Sequence, residues 1–323
     1  MEKEIKKNYT CIANVNDLNR EEWLKIRKAY IGGSDAAAAV GLNPWRSPLS
    51  VYMDKTTDEI KSIDNLHMKL GRYLEDTVVR LFEEETGKKT RRNNQMMVDN
   101  NYPFMLADID REVVGENAIL ECKTTSSWNR DQWQDGQAPV QYEIQCHHYM
   151  AVTGAEKCYL ACLIGLQDFV IREIDRDEET IRLLRQYEGD FWKQVKSGEL
   201  PDPDGSKDYS EALKERYQGR DNDSIDLRDL EEVDMNYYFD LDKSIKGLQM
   251  QQEMMKQKIQ KAMGEHQGAV LKGAKVTWKP YVTSRFDGKK FKNDEPELYE
   301  QYSKQSESRR FVIKQVEEEE EGE

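Results

Sequence analysis

Phe104-Met-Leu-Ala-Asp-Ile-Asp-Arg-Glu-Val-Val-Gly-Glu-Asn-Ala-Ile-Leu-Glu-Cys-Lys-Thr-Thr125 is the stretch whose reading decides the fold. Phe104–Val113 and Ala118–Thr125 both read as strands, and Gly115-Glu116-Asn117 between them is a turn signal. The two strands are therefore expected to be antiparallel neighbours. Residues two apart in a strand share a face. Glu121 and Lys123 then stand side by side, Asp108 and Asp110 share a face of the preceding strand, and the short turn sets Asp110 across from Glu121. Glu-x-Lys alone is common on solvated strands. Here the flanking Ile119, Leu120 and Cys122 read as buried, so the polar residues belong to a site rather than to an open surface.

Two carboxylates and an ammonium at one point of a sheet suit phosphodiester hydrolysis. Mg²⁺ takes oxygen ligands and is typically held by one or two carboxylates plus substrate phosphate. Such a metal polarises the phosphoryl oxygen, lowers the pKa of bound water and stabilises the leaving oxygen. A lysine beside the water orients it or offsets developing negative charge.

Outward from this centre, helices surround the strands. A helix from Asn19 or Arg20 to about Ala29 is broken by Gly32-Gly33. Ser34 reads as the N-cap of a short helix from Asp35 to Val40, and Ser47-Pro48 starts another. A long helix over 66–86 carries Leu66, Leu70, Leu74, Val78 and Leu81 at helical spacing toward the core, with Glu75 beside that stripe. Thr90–Val98 reads as a strand. Pro139 opens a helix ending at Gly154, Tyr159–Ile164 and Phe169–Ile174 are strands, and 177–197 is a helix packed through Ile181, Leu184, Tyr187, Phe191 and Val195. This pattern predicts an α/β fold, a central mixed sheet flanked by helices, over 1–204.

An acidic linker is expected at 205–240. A basic region at 241–316 follows, with 16 Lys/Arg against 9 Asp/Glu. It reads as a long helix carrying Leu241, Ile245, Leu248, Met255 and Ile259, then a small β unit from Val270–Tyr281 and Arg310–Val316. An acidic tail at 317–323 reads as disordered. The whole chain has 323 residues and a net charge of −14. The basic region shows that the total hides an uneven distribution. No stretch approaches the roughly 20 apolar residues of a membrane span, and the charged N-terminus lacks a signal core; an intracellular protein is the expectation. Five cysteines without a CxxC pair read as free thiols. His147 and His148 are adjacent, point in different directions on a helix and read as packing or polar-surface residues. Trp128 and Trp133 follow the Glu121 strand, where they either stack on DNA ends or pack the loop. Lys88-Lys89 and Arg91-Arg92 read as a solvated turn.

Six pieces carry a family resemblance: Trp23-x3-Arg27-x3-Ile31-Gly-Gly-Ser34-Asp-Ala-Ala, Gly41-Leu-Asn-Pro-Trp45, Gly71-Arg-x2-Glu75, Ala107-x2-Asp110, Leu120-Glu-x-Lys123-Thr-Thr and Tyr142-x2-Gln145-x3-Tyr149. In this order the chain resembles the YqaJ-like viral recombinases, relatives of bacteriophage lambda exonuclease in the PD-(D/E)xK nuclease superfamily. The resemblance implies that Asp110, Glu121 and the Cys122 carbonyl are metal ligands, that Lys123 is the catalytic lysine, and that Glu75 completes a second metal site. Two Mg²⁺ per site are implied, with Mn²⁺ as a substitute. It implies that Arg27, Ser34 and Gln145, with Tyr142 beside them, grip the 5′-phosphate of a DNA end. Local chemistry agrees for Ser34, at a helix start after two glycines, and for Arg27, which can make bidentate phosphate contacts. The sequence departs from the superfamily name at Ile109, where proline stands. Asp108 replaces a serine that binds phosphate in lambda exonuclease, so it must be protonated, turned away or paired, or else serve as a ligand in place of Asp110. The implied activity is 5′→3′ resection of double-stranded DNA ends in phage-type recombination, inside a bacterial host's cytoplasm. The implied partners are a single-strand annealing protein and two further copies of the chain in a ring-shaped trimer. The alternatives are another nuclease of the superfamily, endonuclease or RecB-like, and a non-catalytic DNA-end scaffold. For 241–316, DNA binding, subunit contact and partner docking stay open.

Overall fold

The computed structural model describes residues 8–60, 65–218, 224–228, 230–231, 233–304 and 309–316. The chain divides into two compact units, Met1–Tyr217 and Gln218–Glu323.

In the first unit β1 (Tyr9–Asn14), α1 (Arg20–Lys28), β2 (Ile31–Gly32), α2 (Gly33–Ala39), α3 (Pro48–Thr56) and α4 (Leu66–Thr86) come first. Five strands follow: β3 (Thr90–Arg92), β4 (Gln95–Asp99), β5 (Met105–Ala107), β6 (Arg111–Val113) and β7 (Ala118–Thr125). The unit closes with α5 (Val140–Thr153), β8 (Lys157–Ile164), β9 (Asp168–Asp175), α6 (Glu178–Ser197) and α7 (Lys207–Arg216). One sheet runs β3-β6-β7-β8-β9, and the second runs β1-β4-β5-β2. In the first only the β7–β8 pair is parallel, and α5 makes its crossover; in the second only β2–β5 is parallel. This is the expected mixed α/β architecture.

The structure corrects two strand readings. The run 90–98 is two strands, β3 and β4, and the run 104–113 is two strands, β5 and β6; each pair is split between the two sheets. Polar side chains turn both corners. Asn93 accepts the Gln95 N–H at 2.8 Å and donates to Glu112 at 2.7 Å. At 108–110 the Asp108 and Asp110 carboxyls take donors from Trp23 and Cys122. Asp108 and Asp110 therefore lie at a break between strands, not within one.

Helix α4 keeps its expected ends, with Asn65 capping one and Gly87, in the left-handed region, closing the other. Its apolar stripe is buried only in its second half, at Val78, Val79 and Phe82, which pack with Leu120, Tyr159 and Ala161. Leu66 and Leu70 are exposed, because the first half of the helix runs past the sheet beside an open cleft. Tyr187 on α6 is exposed as well. Beyond residue 204 the chain stays packed as α7. Tyr209 and Ala212 are buried with Leu49, Val51 and Tyr52, and Asp208 accepts from the Ser47 and Ser50 hydroxyls, both at 2.6 Å. The first unit thus runs to Tyr217, past the expected boundary at 204.

In the second unit α8 (Met235–Met263) leads to a hairpin of β10 (Gly268–Leu271) and β11 (Ala274–Thr277), then α9 (Gly288–Asp294) and α10 (Pro296–Tyr302). Arg310–Val316 forms no strand, so the small β unit is this hairpin alone. Leu241, Ile245, Leu248 and Met255 of α8 are exposed. The tail at 317–323 lies outside the described residues.

One buried polar pair ties α5 to both neighbours. His148 Nε2 stands 3.0 Å from the Leu106 carbonyl and Nδ1 stands 2.8 Å from Glu188, with both side chains fully buried. A carbonyl only accepts, so Nε2 carries a proton. Burial opposes the imidazolium, but Glu188 outweighs it and raises the His148 pKa. That contribution is full below the ordinary histidine range and is lost as pH rises through the raised value. Glu188→Ala strands the ring, and the expected loss is about 3–5 kcal/mol at neutral pH. Urea unfolding of the variant checks it; a loss below about 1 kcal/mol contradicts the ion-pair reading.

Candidate active site

Strand β6 pairs with β7 only at Arg111–Leu120 and Glu112–Ile119. Beyond Leu120 no strand among the described residues covers that edge of β7. The Asp110 carboxylate fills the first gap, its Oδ2 accepting the Cys122 N–H at 2.8 Å. Alternation along the strand puts the Cys122 and Thr124 main-chain groups on this open edge. Glu121 and Lys123 extend from β7 as expected, with Lys123 Nζ donating to Glu121 Oε1 at 2.6 Å. Gln145 on α5 donates to the same Oε1 at 2.7 Å and accepts from Lys123 at 2.9 Å. Lys123 Nζ also sits 5.0 Å from the centre of the Tyr142 ring. An open cleft of about 370 Å³ is lined by Asp110, Glu121, Cys122, Lys123 and Thr124, and across it by Glu75, Gly71 and Arg72 of α4.

The charges here are held under tension. Burial, then Glu121 and Glu75, push the Asp110 carboxyl well above its usual range. Burial also raises Glu121, with Lys123 pulling the other way. For Lys123 burial works against the charge, but Glu121 outweighs it and the ammonium is held above its ordinary value. Glu121 Oε2 is buried and has no hydrogen-bond partner. An oxygen in that state calls for a cation, and the neighbouring donors are all oxygens, as Mg²⁺ or Mn²⁺ prefers. The residues fit such an ion. Among the described residues no three His, Cys, Asp or Glu side chains already form a cage, because Glu75 is drawn to Arg111 at 2.6 Å.

The structure brings together Asp110, Glu121, Lys123 and Glu75, the four expected catalytic residues. It places Gln145 differently from the expectation: its hydrogen bonds go to Glu121, Lys123 and Tyr149, and none to Arg27 or Ser34. Tyr142 likewise covers Lys123. Arg27 and Ser34 do meet, the guanidinium donating to the hydroxyl. Ser34 is not the N-cap; the helix begins at Gly33 and Gly32 holds the cap position. Asp35 takes over the capping role, accepting the Gly32 N–H at 3.4 Å. Asp108 is turned away from the cleft, held by Trp23 Nε1 at 2.8 Å, with burial raising its pKa. Trp23 in turn stacks under Arg27 at 4.6 Å. The serine-for-aspartate departure is thus met by an indole donor, and Asp110 rather than Asp108 lines the cleft. Trp128 is exposed, whereas Trp133 is buried and stacks on Tyr142.

Sequence reasoning missed three supports. Arg111 is nearly buried and joins Glu75, Asp76 and the Asp110 carbonyl. Its position next to Asp110 was visible, but its partners lie 35 and 36 residues away in the chain. Buried Asp35 carries Lys55 at 2.7 Å and Arg46 at 2.5 Å, with Arg27 at 3.7 Å. Burial alone would raise Asp35; Lys55, Arg46 and Arg27 together hold it well below the carboxylate range. Gly33 lies so close to the Tyr149 ring that a Cβ would sit 2.4 Å from a ring carbon. That contact fastens α2, with Ser34, to α5, with Gln145.

Over residues 22–156 the chain matches the YqaJ-like viral recombinase domain. Over 315 residues it is 38% identical to "Uncharacterized protein YqaJ" of Bacillus subtilis (strain 168), covering 96% of this chain and 99% of that one. The chain belongs to the YqaJ family. Among solved structures it is similar to the alkaline exonuclease of Laribacter hongkongensis, at TM-score 0.49 and 19% identity over 55% of this chain and 93% of that one. The same enzyme in complex with dAMP gives TM-score 0.49 and 20% identity, over 61% and 98%. A phage-related exonuclease from Haemophilus somnus 129PT gives TM-score 0.42 and 13% identity, over 55% and 99%. No helix among the described residues of this YqaJ-family chain is long and apolar enough to cross a membrane.

The raised Asp110 carboxyl makes a stability prediction. A group with a raised folded pKa stabilises fully below its unfolded value, and that stability is lost as pH rises through the folded one. Asp110→Asn keeps an oxygen for the Cys122 N–H and removes the charge. Without divalent cation it is expected to raise the melting temperature by about 2–4 °C, the equivalent of about 1 kcal/mol, and the gain should grow with pH. Differential scanning fluorimetry at several pH values checks this; a variant that melts below wild type throughout contradicts it.

Proposed function

We propose that this YqaJ-family protein is a Mg²⁺-dependent nuclease of the PD-(D/E)xK type that resects double-stranded DNA from 5′ ends. The observation that carries this reading is the partnerless buried oxygen of Glu121, beside Asp110 and Lys123 in an open cleft. Asp110 and Glu121 would hold the metal with the Cys122 carbonyl, and Glu75 would serve a second ion; Mn²⁺ can replace Mg²⁺. When bound, the metal polarises the phosphodiester and lowers the pKa of the attacking water.

The protein's own groups do the rest. Lys123, kept charged by Glu121, orients the water and offsets negative charge as it develops on the phosphoryl oxygens. Gln145 fixes Lys123 and Glu121 by a hydrogen bond to each, and Tyr142 covers the ammonium. Arg27, aimed by Asp35 and Trp23, and the Ser34 hydroxyl receive the 5′-phosphate of the end. Asp108 stays out of that pocket because Trp23 holds it. The reading includes action in a host cytoplasm, a ring-shaped trimer around DNA, and delivery of 3′ single strands to an annealing protein.

One digestion series tests the reading. Linear duplexes with 5′-phosphate, 5′-hydroxyl and blocked ends are compared with covalently closed circles, in Mg²⁺ and in Mn²⁺. The expected result is fastest loss of the 5′-phosphorylated linear duplex, sparing of circles, and a fall of at least about 10²-fold in Lys123→Ala. Cutting of closed circles points to an endonuclease. Binding of ends without nucleotide release points to a scaffold.

A further inference from the structure

Helix α8 runs for 29 residues in the second unit. From Tyr238 to Ala262 alternating steps of three and four residues pick out one stripe, apolar at every step except Gln252. That repeat, about 3.5 residues on average, is the one that winds two helices around each other, and a single polar residue within it sets register at a cost in stability. Leu241, Ile245, Leu248 and Met255 on the stripe are exposed, and Ile259 near its end is half-buried. An amphipathic helix of a folded protein buries its apolar stripe. Most of this one is left uncovered by the described residues.

The stripe is its own complement when a second copy is laid on it in the opposite direction. With Met250 at the midpoint, Tyr238 faces Ala262, Leu241 faces Ile259, Ile245 faces Met255 and Leu248 faces Gln252. The bulkiest residue of the stripe then meets the smallest. Laid in the same direction, Tyr238 meets Tyr238 and Ala262 meets Ala262, crowding one end and leaving a void at the other. The flanking charges make the same choice. Asp242 beside the first half and Lys256 beside the second come opposite each other only in the antiparallel arrangement, twice over by symmetry. Exposed ion pairs add little affinity, but they decide between orientations. Within its own helix Asp242 takes Lys246 at 2.6 Å through Oδ2, which leaves Oδ1 for Lys256 of a second copy.

We propose that α8 is a self-association surface, and that its occupant is α8 of a second copy of this chain, antiparallel, on a two-fold axis beside Met250. The pairing is independent of the nuclease reading. It doubles whatever assembly the first unit makes, so that a ring would be joined to a second ring.

The mass of the full chain is read by light scattering behind size-exclusion chromatography, across a dilution series. Wild type and Met250→Glu are expected to show twice the mass of Leu248→Glu. Leu248 and Met250 are each 65% exposed, but Met250 lies on the far side of the helix from the stripe, so the pair separates loss of the seam from the effect of an added charge. Asp242→Lys is expected to weaken association about tenfold. Adding Lys256→Asp to that chain is expected to restore it, which two residues too far apart to touch within one helix cannot do for themselves. Equal masses for Leu248→Glu and wild type overturn the proposal, and so does an equal fall in Met250→Glu. A double variant that associates no more tightly than Asp242→Lys overturns the antiparallel pairing.

Discussion

Two carboxyls and one ammonium share a buried corner of the sheet, and the rest of the first unit is arranged around keeping them there. Asp110 and Glu121 both hold protons more tightly than free carboxyls do, because burial disfavours their charged forms and other carboxylates stand near, Glu121 and Glu75 by Asp110, Glu75 and Asp108 by Glu121. Lys123 compensates one of them, leaving one Glu121 oxygen with nothing to bond. A folded chain tolerates such an arrangement only when surrounding structure over-determines it. The determinants are visible: the Cys122 N–H on Asp110, Gln145 bridging Glu121 and Lys123, and Arg111 pairing with Glu75 and Asp76. In the proposed function a divalent cation would offset the imbalance that these contacts maintain.

The site is joined to the region around Arg27 by direct packing. Tyr149 accepts from Gln145 on one side and lies on Gly33 on the other. Trp23 joins Arg27 to Asp108, two residues before Asp110. The ion cluster on Asp35 depends on Lys55 of α3, and α3 is pinned at its start by Asp208 of α7. The acidic stretch after residue 204 therefore begins with a helix that braces the candidate phosphate pocket, and the first unit extends through Tyr217.

Much of this was legible in the sequence where the physics is local. Helix ends at Asn65, Gly87, Ser47-Pro48 and Gly154 follow from capping chemistry, and β7 follows from alternation. Alternation also put Glu121 beside Lys123. It could not show that 90–98 and 104–113 each break in two, because the side chains at both corners take partners set by tertiary approach. The stripe of α4 misled for a related reason: periodicity names a face, and only the sheet's extent decides how much of that face is covered. Arg111, Asp35 and the Trp23–Asp108 bond were illegible because their partners are set by tertiary approach. Gln145, expected beside Arg27 and Ser34, hydrogen-bonds to Glu121 and Lys123, contacts that residue spacing alone does not show.

The central claim is the proposed divalent-cation site at Asp110 and Glu121, whose carboxyls burial pushes above their usual range. Isothermal titration with Mn²⁺ in two buffers of different ionisation enthalpy measures it most directly, because a cation entering this site must displace protons. The account predicts binding with net proton release near neutral pH, and loss of both in Asp110→Asn and Glu121→Gln. Binding without proton release, or binding that survives either substitution unchanged, would contradict it.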